Sequence, residues 1–232
     1  MTKMMDNSEF VQKYKRICLL IPTYRTIPVP TFQSTISLIS NLYKHGHEVA
    51  EVMVDQCQVV PARNKLAKAA YEIEKEEGAD LYVWIDSDHT FSYETLMELV
   101  YHFHMCGDEA KILSARYFTK DLSDPQVVAY AKRGTGYEPI PANLENIQEV
   151  DAVGFGFLIV DPEVITKMYE AHGSRQFMIQ FTEHESTDVV SEDICWCELA
   201  REMGYKILVD NLVTCGHYGG IIDEKFVRKF RD

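Results

Sequence analysis

Leu81-Tyr82-Val83-Trp84-Ile85-Asp86-Ser87-Asp88 is the stretch that decides the fold. Five apolar residues in a row, bounded by polar ones, read as a strand buried on both faces. The two carboxylates that follow sit where such a strand must surface. In an α/β protein that place is the rim at the carboxyl ends of the parallel strands, where ligands bind. Hard oxygen ligands at a rim suit Mg²⁺ or Mn²⁺ carrying a phosphate-bearing substrate. The same acids could instead cap the helix that the pattern starts near Ser92.

Outward from this strand, apolar runs and helical periods alternate. Ile17–Ile21 reads as a first strand, closed by Pro22, and 31–44 as a helix with Ile36, Ile39 and Tyr43 on one face. A strand over 49–54 follows, then a helix with Pro61 in its first position and Leu66, Ala69, Ala70 and Ile73 on one side. After 81–85 comes a helix aligning Leu96, Leu99, Val100 and Phe103, then a strand over 111–117. Strand–helix three times over predicts an α/β fold, with a mostly parallel central sheet and helices on both faces. The middle is less regular. Segments 126–130 and 137–140 flank Arg133-Gly134-Thr135-Gly136 as a hairpin, a small antiparallel element, and 150–160 reads as one strand. A short helix over 162–172, a helix over 191–203 and a late strand over 205–209 complete the pattern.

At 232 residues, 46% of them hydrophobic, the chain suits one large domain with a sizeable core. The expected division is a first part over 1–125, a second over 126–220 and a basic tail over 221–232. The net charge of −13 gives no general attraction to nucleic acid or anionic membrane. Contact with nucleic acid would need a local basic face, built from Arg116, Lys120, Lys132, Arg133 and the tail residues Lys225, Arg228, Lys229 and Arg231. The tail reads equally as a short docking helix. The six cysteines form no Cys-x-x-Cys pair and read as reduced, mostly buried thiols. With no apolar signal core and no apolar run of bilayer length, a soluble, cytoplasmic protein without a transmembrane segment is expected.

An ordered set of motifs from residue 17 to about 220 resembles the GT-A fold nucleotide-sugar glycosyltransferases, especially the large family 2. Leu20-Ile21-Pro22-Thr23-Tyr24-Arg25 is similar to that family's opening strand and nucleotide-binding loop, although Arg25 stands where Asn is more usual. Pro61-Ala62-Arg63-Asn64 resembles the nucleobase-contacting segment, and Asp86-Ser87-Asp88 the Asp-x-Asp metal motif. Gly154-Phe155-Gly156-Phe157 resembles the Gly-rich acceptor-side strand. Ser191-Glu192-Asp193 resembles the acidic pair opening the catalytic helix, and Cys215-Gly216-His217-Tyr218-Gly219 a late segment that supplies a histidine to the metal.

The resemblance implies a single GT-A, Rossmann-like domain moving a sugar from a UDP- or GDP-sugar to a hydroxyl acceptor, with inversion. The acceptor could be a polysaccharide, a glycoconjugate or a hydroxymethylated DNA base. Asp88 and His217 would bind Mn²⁺ or Mg²⁺, and Asp86 would contact the ribose, or the metal through water. Pro22, Thr23, Tyr24, Arg25, Arg63, Asn64, Gly154 and Gly156 would line the donor site. Asp193, or less directly Glu192, would take the acceptor proton. Each residue has a plainer alternative. His217 could fill a strand end, the acids at 192 and 193 could complement a helix dipole below a Ser191 cap, and the glycines could relieve core crowding. Arg63 could be an exposed first-turn residue. Two other activities stay open: a sugar-nucleotide nucleotidyltransferase, which usually opens on a glycine-rich loop this chain lacks, and a nucleotide- or glycan-binding module without turnover.

Overall fold

The computed structural model describes residues 11–24, 26–55, 58–143, 145–181 and 189–219. Arg25, Cys57 and the basic tail after residue 219, with Lys225, Arg228, Lys229 and Arg231, lie outside the described residues. The central sheet contains β1 (Arg16–Pro22), β2 (Glu48–Val54), β3 (Leu81–Ile85), β4 (Ile112–Arg116), β5 (Ile147–Val150), β6 (Phe157–Val160) and β7 (Ile207–Thr214). Its order is β2-β1-β3-β6-β4-β7-β5. β1, β2, β3, β4 and β7 run one way, while β5 and β6 run against them. The mostly parallel α/β sheet expected from the sequence is therefore present. The strand wedged antiparallel between β3 and β4 comes from the late half of the chain.

The helices are α1 (Val29–Lys44), α2 (Val59–Glu76), α3 (Tyr93–Cys106), α4 (Pro162–His172) and α5 (Glu192–Glu202). Alternate residues of one strand serve opposite faces. Cys18, Leu20, Tyr82 and Trp84 pack in the cluster containing Leu66 and Ala70 of α2, Met168 of α4 and Trp196 of α5. Ile17, Leu19, Val83 and Ile85 pack in the cluster containing Leu38 and Leu42 of α1 and Leu96, Leu99, Val100 and Phe103 of α3. Layers on both faces explain why these strands are near-continuously apolar.

Several boundaries move. The buried stripe of α1 is Thr31, Thr35, Leu38 and Leu42. Ile36 and Tyr43, expected inside, are half exposed. Helical period alone does not say which of two overlapping stripes faces the sheet. α2 begins at Val59, so Pro61 is its third residue, where its missing N–H is still unneeded. The run 150–160 is not one strand. It splits into the end of β5, the pair Ala152–Val153, a buried Gly154–Gly156 bend and β6. The hairpin pairs Ala129–Arg133 with Gly136–Pro139, three residues later on its first arm than the pattern suggested, and Ala152–Val153 adds a third strand. Gly134 turns it with φ +59°, a left-handed conformation that favours glycine. The last strand runs on to Thr214, with a register shift between Asp210 and Thr214 that turns the chain back to the sheet rim. No helix among the described residues is long and apolar enough to cross a membrane. Cys18, Cys106, Cys195, Cys197 and Cys215 are free thiols, all but Cys106 buried.

Candidate active site

β3 ends at Ile85, and both aspartates follow at once, at the carboxyl rim. The capping alternative fails here. Ser92 caps α3 itself: its Oγ accepts from Thr95 N at 3.1 Å, and Thr95 Oγ1 accepts from Ser92 N at 3.3 Å. Asp86 and Asp88 are thereby left to the rim, and they go to different partners.

Asp86 belongs to a buried ion network. Nη2 of Arg63 donates to both oxygens of Asp86 at 2.9 Å, and Nη1 donates to Glu192 Oε1 at 2.8 Å. Arg63 is only 3% exposed, so it is no surface arginine. Its guanidinium lies 5.1 Å from the ring centre of Phe155 and 5.9 Å from that of Phe177. Burial works against its charge, yet Asp86, Asp193 and Glu192 hold it more firmly protonated than a free arginine. Burial pushes the Glu192 carboxyl above its ordinary value, against the pull of Arg63, and Asp193 adds to the rise. One arginine thus pins the rim after β3 to the start of α5, reaching Glu192 across 129 positions of chain.

Asp193 is the half-buried second residue of α5. Its Oδ1 accepts from Ile194 N at 2.9 Å and from the Ser191 hydroxyl. Ser191 therefore donates to Asp193 and makes no side-chain cap of its own. Asn64 is spent on structure. Its Nδ2 donates to Phe177 O at 2.8 Å and its Oδ1 accepts from Phe177 N at 3.0 Å, so the amide clamps α2 to that segment.

Asp88 faces the other way, into a cluster of histidines. Its Oδ1 accepts from His89 Nδ1 at 3.0 Å, and its Oδ2 lies 3.6 Å from His217 Nε2 and accepts from Lys120 Nζ. His217 stands on the strand Gly216–His217, which pairs with His89–Thr90 beside the rim. Its Nδ1 is 2.8 Å from Phe118 O. A carbonyl only accepts, so Nδ1 carries the proton; Nε2 can donate to Asp88 only from the charged ring, and in the neutral ring its lone pair is the one that a metal ion would take. The His217 and His89 rings stack at 4.3 Å. Burial raises the Asp88 carboxyl, but the polar contact with His217 and the hydrogen bonds from His89 and Lys120 outweigh it and hold it well below the usual range. Burial pushes His89 down, toward the neutral ring. Asp88, His89 and His217 each bring one ligand atom within 4.8 Å of the others. One carboxylate and two imidazoles, one of them with its far nitrogen anchored to a carbonyl, fit a divalent ion. His89 was not singled out from the sequence. Its one signal there is direct succession to Asp88.

The glycines of the bend make room for side chains. A Cβ on Gly156 would meet His89 Nε2 at 2.3 Å, and one on Gly154 would meet Tyr117 Oη at 2.0 Å. Tyr117 Oη in turn accepts from Gly156 N at 3.2 Å. Burial, with Asp86 and Asp193 nearby, raises that phenol far above its ordinary value, so it stays neutral. The crowding alternative thus accounts for both glycines.

Two clefts flank this centre. The first, about 180 Å³, is lined by Pro22 at the end of β1, Thr23 and Tyr24 after it, Ala62 of α2, and Asp86 and Asp88. Thr23 is held in place by Val54, its N–H and Oγ1 both donating to that carbonyl, at 2.8 and 3.0 Å. The second, about 330 Å³, lies between Tyr130 and Tyr137 of the small sheet and Val189, Val190 and Ile194 beside Asp193. The supposed basic face is neutralised in its described part. Arg116 is buried against Thr214, while Lys120 pairs with Asp88, Lys132 with Glu198 and Arg133 with Glu138.

No family model and no curated protein sequence matches the chain. Solved structures do. The chain superposes on A197 from STIV with a TM-score of 0.57 at 15% identity, covering 90% of this chain and 91% of that one. It superposes on GalNAc-T7, solved with UDP, GalNAc and Mn²⁺, with a TM-score of 0.55 at 9% identity. That match covers 88% of this chain and 44% of GalNAc-T7, so the chain spans less than half of that relative's length. Likeness of this extent at such low identity is likeness of architecture, and the architecture of this chain is GT-A-like.

Proposed function

We propose that the protein is a metal-dependent glycosyltransferase that moves a sugar from a nucleotide diphosphate sugar, of the UDP or GDP class, to a hydroxyl acceptor with inversion. The observation that carries this reading is the meeting of Asp88 from mid-chain with His217 from near the end, beside a cleft at the sheet rim. That the similar fold of GalNAc-T7 was solved with UDP, GalNAc and Mn²⁺ supports it.

In this reading the nucleotide lies along Pro22, Thr23 and Tyr24, and Asp86, steadied by Arg63, meets its ribose. Asp88 and His217 hold Mn²⁺ or Mg²⁺, with His89 as a third ligand or as the group orienting Asp88. The ion supplies charge neutralisation to the leaving diphosphate. Asp193 takes the proton of the acceptor hydroxyl, which enters by the cleft between Tyr130 and Ile194. Glu192, engaged by Arg63, holds α5 in place for that step.

A thermal-shift panel of UDP, GDP, CDP and TDP, with and without Mn²⁺, tests the reading. One nucleotide should stabilise the protein only with the ion, and Asp88→Ala should abolish that shift and the slow hydrolysis of the donor sugar. Asp193→Asn should keep the shift and lose transfer. A metal-dependent shift that survived Asp88→Ala would remove the centre of the proposal.

A further inference from the structure

We infer that Lys120 is a tethered cation that occupies the Asp88 carboxylate until a divalent ion displaces it, and that the displaced ammonium then serves the diphosphate. The inference rests on the metal-dependent reading above, and its ground is the packing around one oxygen. Asp88 Oδ2 lies 3.6 Å from His217 Nε2, and the same oxygen accepts from Lys120 Nζ. An ion held between Asp88 and His217 would share that oxygen with an ammonium of like charge, so the two cations exclude each other.

The lysine is placed there by construction. Its stem packs against the backbone at Gly219, where a Cβ would lie 2.6 Å from Lys120 Cδ and 2.9 Å from Cγ. Tyr218 N donates to Asp88 O at 2.6 Å, which ties the same segment to the aspartate. The loop bearing Lys120 is braced at its base, where Thr119 N donates to Gln126 O at 2.8 Å and Val128 N to Tyr117 O at 3.0 Å. Phe118 of that loop anchors His217 at 2.8 Å. One loop thus sets both the histidine and the competing ammonium. The pair is also loose enough to open, with 42% of the Lys120 side chain and 33% of that of Asp88 exposed. Asp88 lines the donor cleft, so an ammonium leaving it is already at the edge where the diphosphate would lie.

Two effects of opposite sign follow. Lys120→Met removes the competitor, so Mn²⁺ alone, titrated calorimetrically into the protein, should bind about two- to fivefold more tightly than to wild type. The same variant lacks the ammonium for phosphate oxygens, so UDP titrated at saturating Mn²⁺ should bind more weakly. Lys120→Arg keeps the charge and should restore much of the UDP affinity. A merely structural lysine would move both affinities the same way. Equal or weaker Mn²⁺ binding by a Lys120→Met protein with wild-type circular dichroism and unfolding midpoint overturns the inference and leaves the metal reading standing. If neither wild type nor variant binds Mn²⁺, the metal reading falls first and the inference with it.

Discussion

Arg63 is the residue on which the centre of the molecule turns. Its sequence context, an arginine in the first turns of a helix, reads as a surface ligand for phosphate or base, but its guanidinium is sealed beneath Phe155 and Phe177 between two carboxylates. A buried pair of this kind contributes little over a well-packed apolar equivalent, whereas removing one partner strands the other charge. Arg63→Ala should therefore cost about 3–5 kcal/mol in urea unfolding, because it leaves Asp86 and Glu192 unpaired. Arg63→Lys should be nearly as damaging, since a single ammonium cannot meet both acids in the fork geometry seen here. A loss below about 1 kcal/mol for Arg63→Ala would mean that the acids are solvated and the network is weak. The sequence placed Asp86 and Asp88 at the rim, and the resemblance added Glu192 and Asp193 to the site. Neither could show that Arg63 divides them, taking Asp86 and Glu192 and leaving Asp88 to the histidines, because that choice depends on side-chain reach across 129 positions.

Among the elements, those that shape the site were the most legible where local chemistry dominates. β3 and α4 have the boundaries read from the sequence, and α3 starts directly after Ser92, where the pattern put its beginning. Ser92→Ala should lower stability by about 1 kcal/mol, read as a shift in the unfolding midpoint, through the lost bond from Thr95 N to the Ser92 hydroxyl. α2 is joined to the segment after α4 by Asn64, whose amide closes both backbone groups of Phe177. Asn64→Ala should cost about 1–3 kcal/mol by leaving a donor and an acceptor unpaired. Amide exchange at Phe177 should accelerate in that variant, and protection equal to wild type would show that the clamp is dispensable. The elements read least well are those whose limits are tertiary. The 150–160 run is apolar from Ala152 to Val160, and its two glycines alone do not fix where the chain bends. The bend exists because Tyr117 and His89 fill the space that two Cβ atoms would need.

At the scale of the whole molecule, stability should carry the mark of one histidine far from the rim. His47 is 2% exposed and donates from Nδ1 to Tyr14 O at 2.9 Å. Burial lowers its pKa, against the raising effect of that bond. The folded state then binds fewer protons than the unfolded chain, whose histidines titrate near about 6.5, so stability falls as pH drops below that value. Urea unfolding between pH 7 and pH 5 should show this loss, and His47→Asn should flatten it. An unchanged slope in the variant would assign the acid sensitivity to other groups. The sequence by itself determined the α/β class, the run of β1 to β4 with their helices, and the place of Asp86 and Asp88 at the carboxyl rim. These follow from periodicity, caps and punctuation within a few residues. Only the tertiary structure decided that β6 enters the sheet antiparallel between β3 and β4, and that Asp88 meets His89, His217 and Lys120 while Asp86 meets Arg63. Those are contacts between segments remote in the chain, set by which faces pack and which charges can be buried together, and no local pattern encodes them.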